Sequence, residues 1–247
     1  MGVILFIVAC TAVAIRLLYV CATKRHLPEL FLGLGYLLAG ALGWGVLMVG
    51  MTVVPDGTVV SESYQAASVV AMNAGAFCFY LFVWHVFRRD SLVAKGTLAV
   101  VALILVASLV LDTFVAGETF GPPPGSPTTL GSAVVRTLAF AWMAAEAFRN
   151  YGQFRRRARI GLGNPTVANR LLLWGISATA MLALSAVALG LYVTAVDAAA
   201  STMRQRQAEL LYGTLGIVSA LALWFAFFPP RAYAAWIAPA PEEKSDG

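Results

Sequence analysis

The stretch LFLGLGYLLAGALGWGVLMVGMTVVP, Leu30 to Pro55, carries no charged residue. At 1.5 Å per residue, about 20 such residues in an α-helix cross the hydrocarbon core of a bilayer. Leu171 to Val196 and Leu210 to Pro230 repeat the pattern. Across the 247 residues, 60% are hydrophobic, 12% are charged and the mean hydropathy is +0.80. The charged share is about half that of an ordinary soluble domain. The sequence therefore reads as an all-α integral membrane protein.

Working outward from Leu30, the apolar runs predict a seven-transmembrane-helix bundle, with helices at about 2–23, 29–54, 63–87, 95–116, 131–150, 166–195 and 209–228. They form one transmembrane domain over 1–236, followed by a disordered cytoplasmic tail over 237–247. Pro28 followed by Glu29 opens the second helix, and Asn164-Pro165 opens the sixth as an N-cap followed by a first-turn proline. Pro229-Pro230 stops the seventh, and the proline-rich segment Gly117 to Ser132 separates the fourth from the fifth. The N-terminal run reads as an uncleaved first span: Ile7-Val8-Ala9-Cys10 has the outline of a lipoprotein box, but the apolar run continues past it. Cys10 and Cys21 lie too far apart on one helix for a disulfide.

Direction follows from lysine and arginine, which are retained on the cytoplasmic side. Lys24 and Arg25 lie in the first connection, Arg88, Arg89 and Lys95 in the third, and Arg149, Arg155, Arg156, Arg157, Arg159 and Arg170 in or beside the fifth. Arg231 and Lys244 follow the seventh helix. The other connections are acidic or mixed, so the N-terminus is expected outside and the C-terminus inside a plasma (inner) membrane, as a multi-pass protein.

The arginine-rich stretch RNYGQFRRRARIGLGNPTVANR, Arg149 to Arg170, is what this topology demands. It has few aromatics for stacking bases, so no nucleic acid is expected. GLGNP lacks the third glycine and the preceding strand of a phosphate-binding fingerprint. The concentration of charge at Arg155, Arg156, Arg157 and Arg159 exceeds what orientation needs and marks docking of anionic lipid headgroups at the cytoplasmic face or of a cytoplasmic protein partner.

A faint internal correspondence joins the first three helices to the last three. KRHLPELFLGLG matches RIGLGNPTVANRLLLWG, and WHVFRR at Trp84 matches WFAFFPPR at Trp224, which suggests a weak 3+1+3 parallel repeat. In helix count and direction alone the chain resembles rhodopsin-type proteins, heptahelical receptors and seven-helix sugar carriers. No lysine stands between Glu209 and Phe228 to form a Schiff base, so a covalent retinal is not expected.

Ionisable and polar residues inside spans are costly, and they are candidate functional groups. Arg16 lies roughly 10 Å inside the first helix, within reach of the cytoplasmic surface by snorkelling. Asp112 and Arg136 flank the proline-rich segment on neighbouring helices and are placed to pair. Arg204, Arg206 and Glu209 stand on the same side, as a solvated loop or the rim of a charged vestibule. Asn73 is near mid-depth, with Ser185 and Ser219 at similar depth and Tyr80 and Trp142 somewhat inward. Gly35, Ala39 and Gly43 form a small-residue stripe that suits a close helix contact. At the cytoplasmic side, His85 and Glu146 form a candidate proton-responsive pair with His26 and Arg149 nearby, Glu146 being one turn from Arg149. No helical spacing of a metal site occurs, haem ligation by His26 and His85 is disfavoured by the loop position of His26, and no cofactor is expected.

No paired carboxylates or nucleophile-base arrangement favour an enzyme. The reading preferred is a heptahelical sensor or receptor-like protein, binding a small ligand at Asn73, Asp112, Arg136, Trp142, Ser185 and Ser219. A small-solute transporter with a midplane site comes second, and a non-catalytic scaffold or lipid-modifying enzyme third; oligomerisation is compatible with each. No carboxylate stands at mid-depth to couple ions, which ranks the sensor above the carrier.

Overall fold

The computed structural model describes residues 2–53, 58–115, 127–194 and 201–237, with the side chains of 2, 51, 59, 112–115, 127–129, 191–194, 201–209 and 234 outside the description. Among the described residues there is no strand. The helices are α1 (Gly2–Lys24), α2 (Leu27–Gly35), a π-helical segment (Tyr36–Gly43), α3 (Trp44–Thr52), α4 (Val59–Phe87), α5 (Leu92–Val115), α6 (Pro127–Arg159), α7 (Pro165–Thr194), α8 (Ser201–Phe227) and α9 (Arg231–Ile237). Among the described residues six stretches are long and apolar enough to cross a membrane: Val3–Lys24, Leu27–Gly50, Val60–Phe87, Leu92–Leu111, Pro165–Gly190 and Leu210–Phe227. The chain is thus built as a multi-pass membrane protein. α6 is not among the six, because Arg136 and Glu146 interrupt its apolar stretch.

α6 lies against α7, α4 and α5, while α8 lies between α1 and α7. α5 is peripheral: Leu103, Val106 and Val110 are exposed, as are Ile4, Val8 and Ile15 of α1 and Leu221 of α8, a distribution that suits contact with lipid tails. The core is built from Cys10, Val13, Leu32, Phe79, Val83, Met143, Met181 and Leu223, all buried.

Close helix approach follows from small residues. The stripe Gly35, Ala39 and Gly43 faces α4: a Cβ added at Gly35 would stand 2.5 Å from Phe79 Cε1, and one at Gly43 would stand 2.6 Å from Met72 Cγ. Gly75 of α4 reaches so near Ala39 that an added Cβ would collide with the Ala39 backbone nitrogen. Within this contact the expected regular helix over 29–54 opens into eight residues of π-helix, a widened form frequent at functional sites.

Several helix ends differ from the expected ones: α4 begins at Val59 and not at 63, and α8 at Ser201 and not at 209, so that Arg204 and Arg206, expected in a solvated loop, lie on helix. The expected loop after residue 150 is helical through Arg159. Its alanine, glutamine and arginines are good helix formers, and polarity alone does not end a helix once it leaves the bilayer. The stop comes at Gly161, with φ of 75°: Leu162 N–H donates to Arg157 O at 2.9 Å and Gly161 N–H to Ala158 O at 3.2 Å, the paired bonds of a Schellman cap. Asn164 then caps α7, its Oδ1 accepting from Thr166 N at 2.9 Å. GLGNP is therefore one helix stop followed by one helix start. A further difference is α9, an unforeseen helix after Pro229-Pro230, where Tyr233 and Asn169 of α7 exchange hydrogen bonds at 2.9 and 3.1 Å. The expected tail lies, except for Ile237, outside the described residues.

Candidate functional site: a cavity inside the bundle

A cavity of about 230 Å³ lies between α1, the π-helical segment, α3, α4, α6 and α7. Its wall is mostly apolar and includes five aromatic rings, Phe6, Tyr36, Trp44, Phe79 and Phe140, with Met72, Met143 and Met181. The rings hold one another in place. Phe79 meets Tyr36 edge-on at 5.2 Å between centroids and Phe140 at 5.6 Å. Such edge and tilted contacts are the favoured geometry of aromatic pairs. Gly35 gives Phe79 the space to make them.

The polar part of the wall comes from Arg136 and Thr137 of α6 and from Ser177 and Ser185 of α7. Arg136 Nη1 donates to Asn73 Oδ1 at 3.0 Å, and Asn73 is 2% exposed. Asn73 Nδ2 is buried without a hydrogen-bond partner among the described residues. Thr137 is turned back on its own helix, donating to Ala133 O at 2.8 Å. Ser177 Oγ lies 2.8 Å from the fully buried Ser219 Oγ of α8, so α7 and α8 are joined beside the cavity.

The sequence-derived site residues separate into three groups. Arg136 and Ser185 line the cavity, while Asn73 stands behind Arg136 and Ser219 behind Ser177. Trp142 does not line it: its ring packs on Tyr80 at 5.7 Å and faces a second recess. The Asp112 side chain lies outside the described residues, as do those of Arg204, Arg206 and Glu209.

The second recess, of about 420 Å³, is at the end of the bundle that carries the basic connections, lined by Arg88, Ser91, Thr97, Trp142 and Glu146 among others. Arg88 Nε donates to Glu146 Oε1 at 2.6 Å, a pair linking the end of α4 to α6. Glu146 thus reaches across to Arg88; the expected partner one turn along, Arg149, points elsewhere on the helix and is exposed. Glu146 is 5% exposed, so a buried carboxylate takes the cation that meets it inside the bundle. His85 packs against Phe31 at 5.9 Å and Trp84 at 6.1 Å. Arg16 donates to the carbonyl of Phe227, the last residue of α8, and sits over the Phe228 ring at 4.7 Å. A cation at that position satisfies an orphan helix carbonyl and complements the helix dipole.

Arg155 and Arg157 lie on the helical extension of α6, each 5.9 Å over an aromatic ring of its own helix, Tyr151 and Phe154. Arg155, Arg156, Arg157 and Arg159 are all exposed there. Among the described residues no group of three or more His, Cys, Asp or Glu could hold a metal ion.

Chemically, the cavity offers a largely apolar, polarisable wall with a cation and hydroxyls on one part of it. That suits binding a compact apolar molecule by one polar group. Comparison with models of known protein families, with curated proteins and with solved structures finds no match.

Proposed function

We propose that this chain is a seven-helix membrane sensor, with its N-terminus outside and its C-terminus in the cytoplasm, in the plasma (inner) membrane of its cell. In this reading α6 crosses as the fifth span, its Arg136 and Glu146 compensated by Asn73 and Arg88. The ligand is a small, largely apolar molecule with one polar group turned toward Arg136 and Ser185.

The observation that carries the reading is the cavity itself: about 230 Å³ of space in a closely packed bundle, with aromatic walls, a guanidinium and a π-helical wall segment. A packed interior has few voids larger than a water molecule, so one of this size is the natural place for a ligand. The readout follows from α6, which lines the cavity near its start and ends in the arginine-bearing extension. Movement of α6 against α4 would carry Arg155 to Arg159 with it, to be read by a cytoplasmic partner.

The test is a stability screen of the purified full chain against a broad set of small lipophilic acids, alcohols and amides, with cysteine accessibility near residue 155 measured in parallel. Hits raise the unfolding midpoint and change accessibility. If no compound does either, the sensor reading fails; uptake of the same compounds into vesicles without any accessibility change would move the assignment to a small-solute carrier.

A further inference from the structure

The turn between α4 and α5 brings two polar side chains to one side of the second recess. Arg88 closes α4, Ser91 N–H donates to Arg88 O at 3.0 Å, and Ser91 Oγ caps α5 by accepting from Ala94 N at 3.3 Å. α6 contributes Trp142 and, one turn on, Glu146, and Thr97 of α5 completes the polar lining. The recess holds about 420 Å³, ample for a small molecule.

Its hydrogen-bonding groups divide by direction. The Arg88–Glu146 pair uses one atom of each partner, Nε and Oε1 at 2.6 Å. Among the described residues neither Nη group of Arg88 nor Oε2 of Glu146 makes a hydrogen bond, and both side chains line the recess. Ser91 keeps its own hydroxyl proton to donate, whereas Thr97 gives its proton to Val93 O at 2.9 Å and can only accept. Arg88 and Ser91 are therefore the donors, Glu146 and Thr97 the acceptors, and both charges border one space.

An anion bound there would lie beside the Glu146 carboxylate, and a cation beside the Arg88 guanidinium. Like charges at that range are unfavourable, so a ligand carrying both signs fits best. Trp142 adds an indole, the ring that attracts an ammonium most strongly. We infer that the recess is a site for a free α-amino acid, its carboxylate on the Arg88 Nη groups and Ser91 Oγ, its ammonium on Glu146 Oε2 and Thr97 Oγ1. One carbon separates the two groups in such a molecule, as one ion-pair contact separates the two charges of the wall. The amino-acid side chain leaves over Val93, an exposed apolar residue of the lining. The site shares no lining residue with the interior cavity.

The experiment uses the full chain in uncharged detergent and reads the unfolding midpoint with glycine, alanine, serine and leucine, each beside its N-acetyl and methyl-ester derivatives at equal ionic strength. The best free amino acid should raise the midpoint by about 4 °C at about ten times its half-saturating concentration. The derivatives, each with one charge removed, should give almost no rise. Thr97→Val, which leaves the ion pair in place, should raise the half-saturating concentration about fivefold, and Glu146→Gln at least about tenfold. Ala133→Phe, in the wall of the interior cavity, should leave it unchanged. Phosphatidylethanolamine, which carries an ammonium beside a lipid phosphate, is the membrane-borne alternative. No rise with any of the four, equal rises with the derivatives, unchanged binding in folded Thr97→Val, loss of binding in folded Ala133→Phe, or a rise with phosphatidylethanolamine and none with the amino acids would each overturn the site.

Discussion

Removing one partner of the Arg88–Glu146 pair should cost more when the arginine is removed than when the carboxylate is neutralised. The side chain of Arg88 is 38% exposed and that of Glu146 is 7% exposed, with 2.6 Å between Arg88 Nε and Glu146 Oε1. In Arg88→Met the carboxylate is left where little water reaches it. Stranding a charge of a fully buried pair costs 3–5 kcal/mol, but the open side of this one reduces the figure to about 2 kcal/mol. In Glu146→Gln the freed guanidinium turns to solvent or headgroups and the amide oxygen can still accept, so the cost is about 1 kcal/mol. For a chain of this length these correspond to falls in midpoint of about 6 °C and about 3 °C. The double variant should fall short of additivity by about 1 kcal/mol. Arg149→Gln, at the position the helical spacing favoured, should stay within about 0.5 kcal/mol of the parent. The assay is thermal unfolding in detergent for the two single variants, the double variant and Arg149→Gln. Additive single effects, or a larger loss in Glu146→Gln than in Arg88→Met, would refute the geometry.

Other perturbations test other parts of the bundle. Gly161→Ala should destabilise by about 1 kcal/mol in unfolding measurements, because the Schellman cap holds that residue at φ of 75°. Gly75→Val should cost at least about 2 kcal/mol, since its side chain would drive Ala39 and the π-helical segment away from α4. Tyr80→Phe removes the 2.9 Å bond from its hydroxyl to Val135 O and should cost about 1 kcal/mol in the same assay.

Among the described residues the helices were legible because hydropathy alone reports them: the long apolar runs are helical there. The π-helical segment was not, since Tyr36 to Gly43 is apolar on all sides and composition does not distinguish a widened helix from a regular one. The helical stretch from Tyr151 to Arg159 was hidden by its charge, although Gly161 and Asn164-Pro165 marked the true stop and start. At the site, the polar signal led to Arg136 and Ser185 in the cavity wall and to Asn73 and Ser219 just behind it. It misplaced Trp142, which the pitch of α6 turns toward the Arg88–Glu146 recess. Tyr36, Trp44, Phe79 and Phe140 were missed entirely, because an aromatic residue facing a cavity reads like one facing lipid. Only the glycines that let Phe79 and Ala39 approach hinted at that wall, and they read first as packing.

The most direct measurement is native mass spectrometry of the intact protein released from membranes, for the parent chain and for Ala133→Phe, which places a ring in the cavity wall. A small molecule retained by the folded parent and lost from an equally folded Ala133→Phe is the predicted result. A parent chain with no retained molecule, which also gains none when the screen's best compound is added, would contradict a ligand site in the bundle.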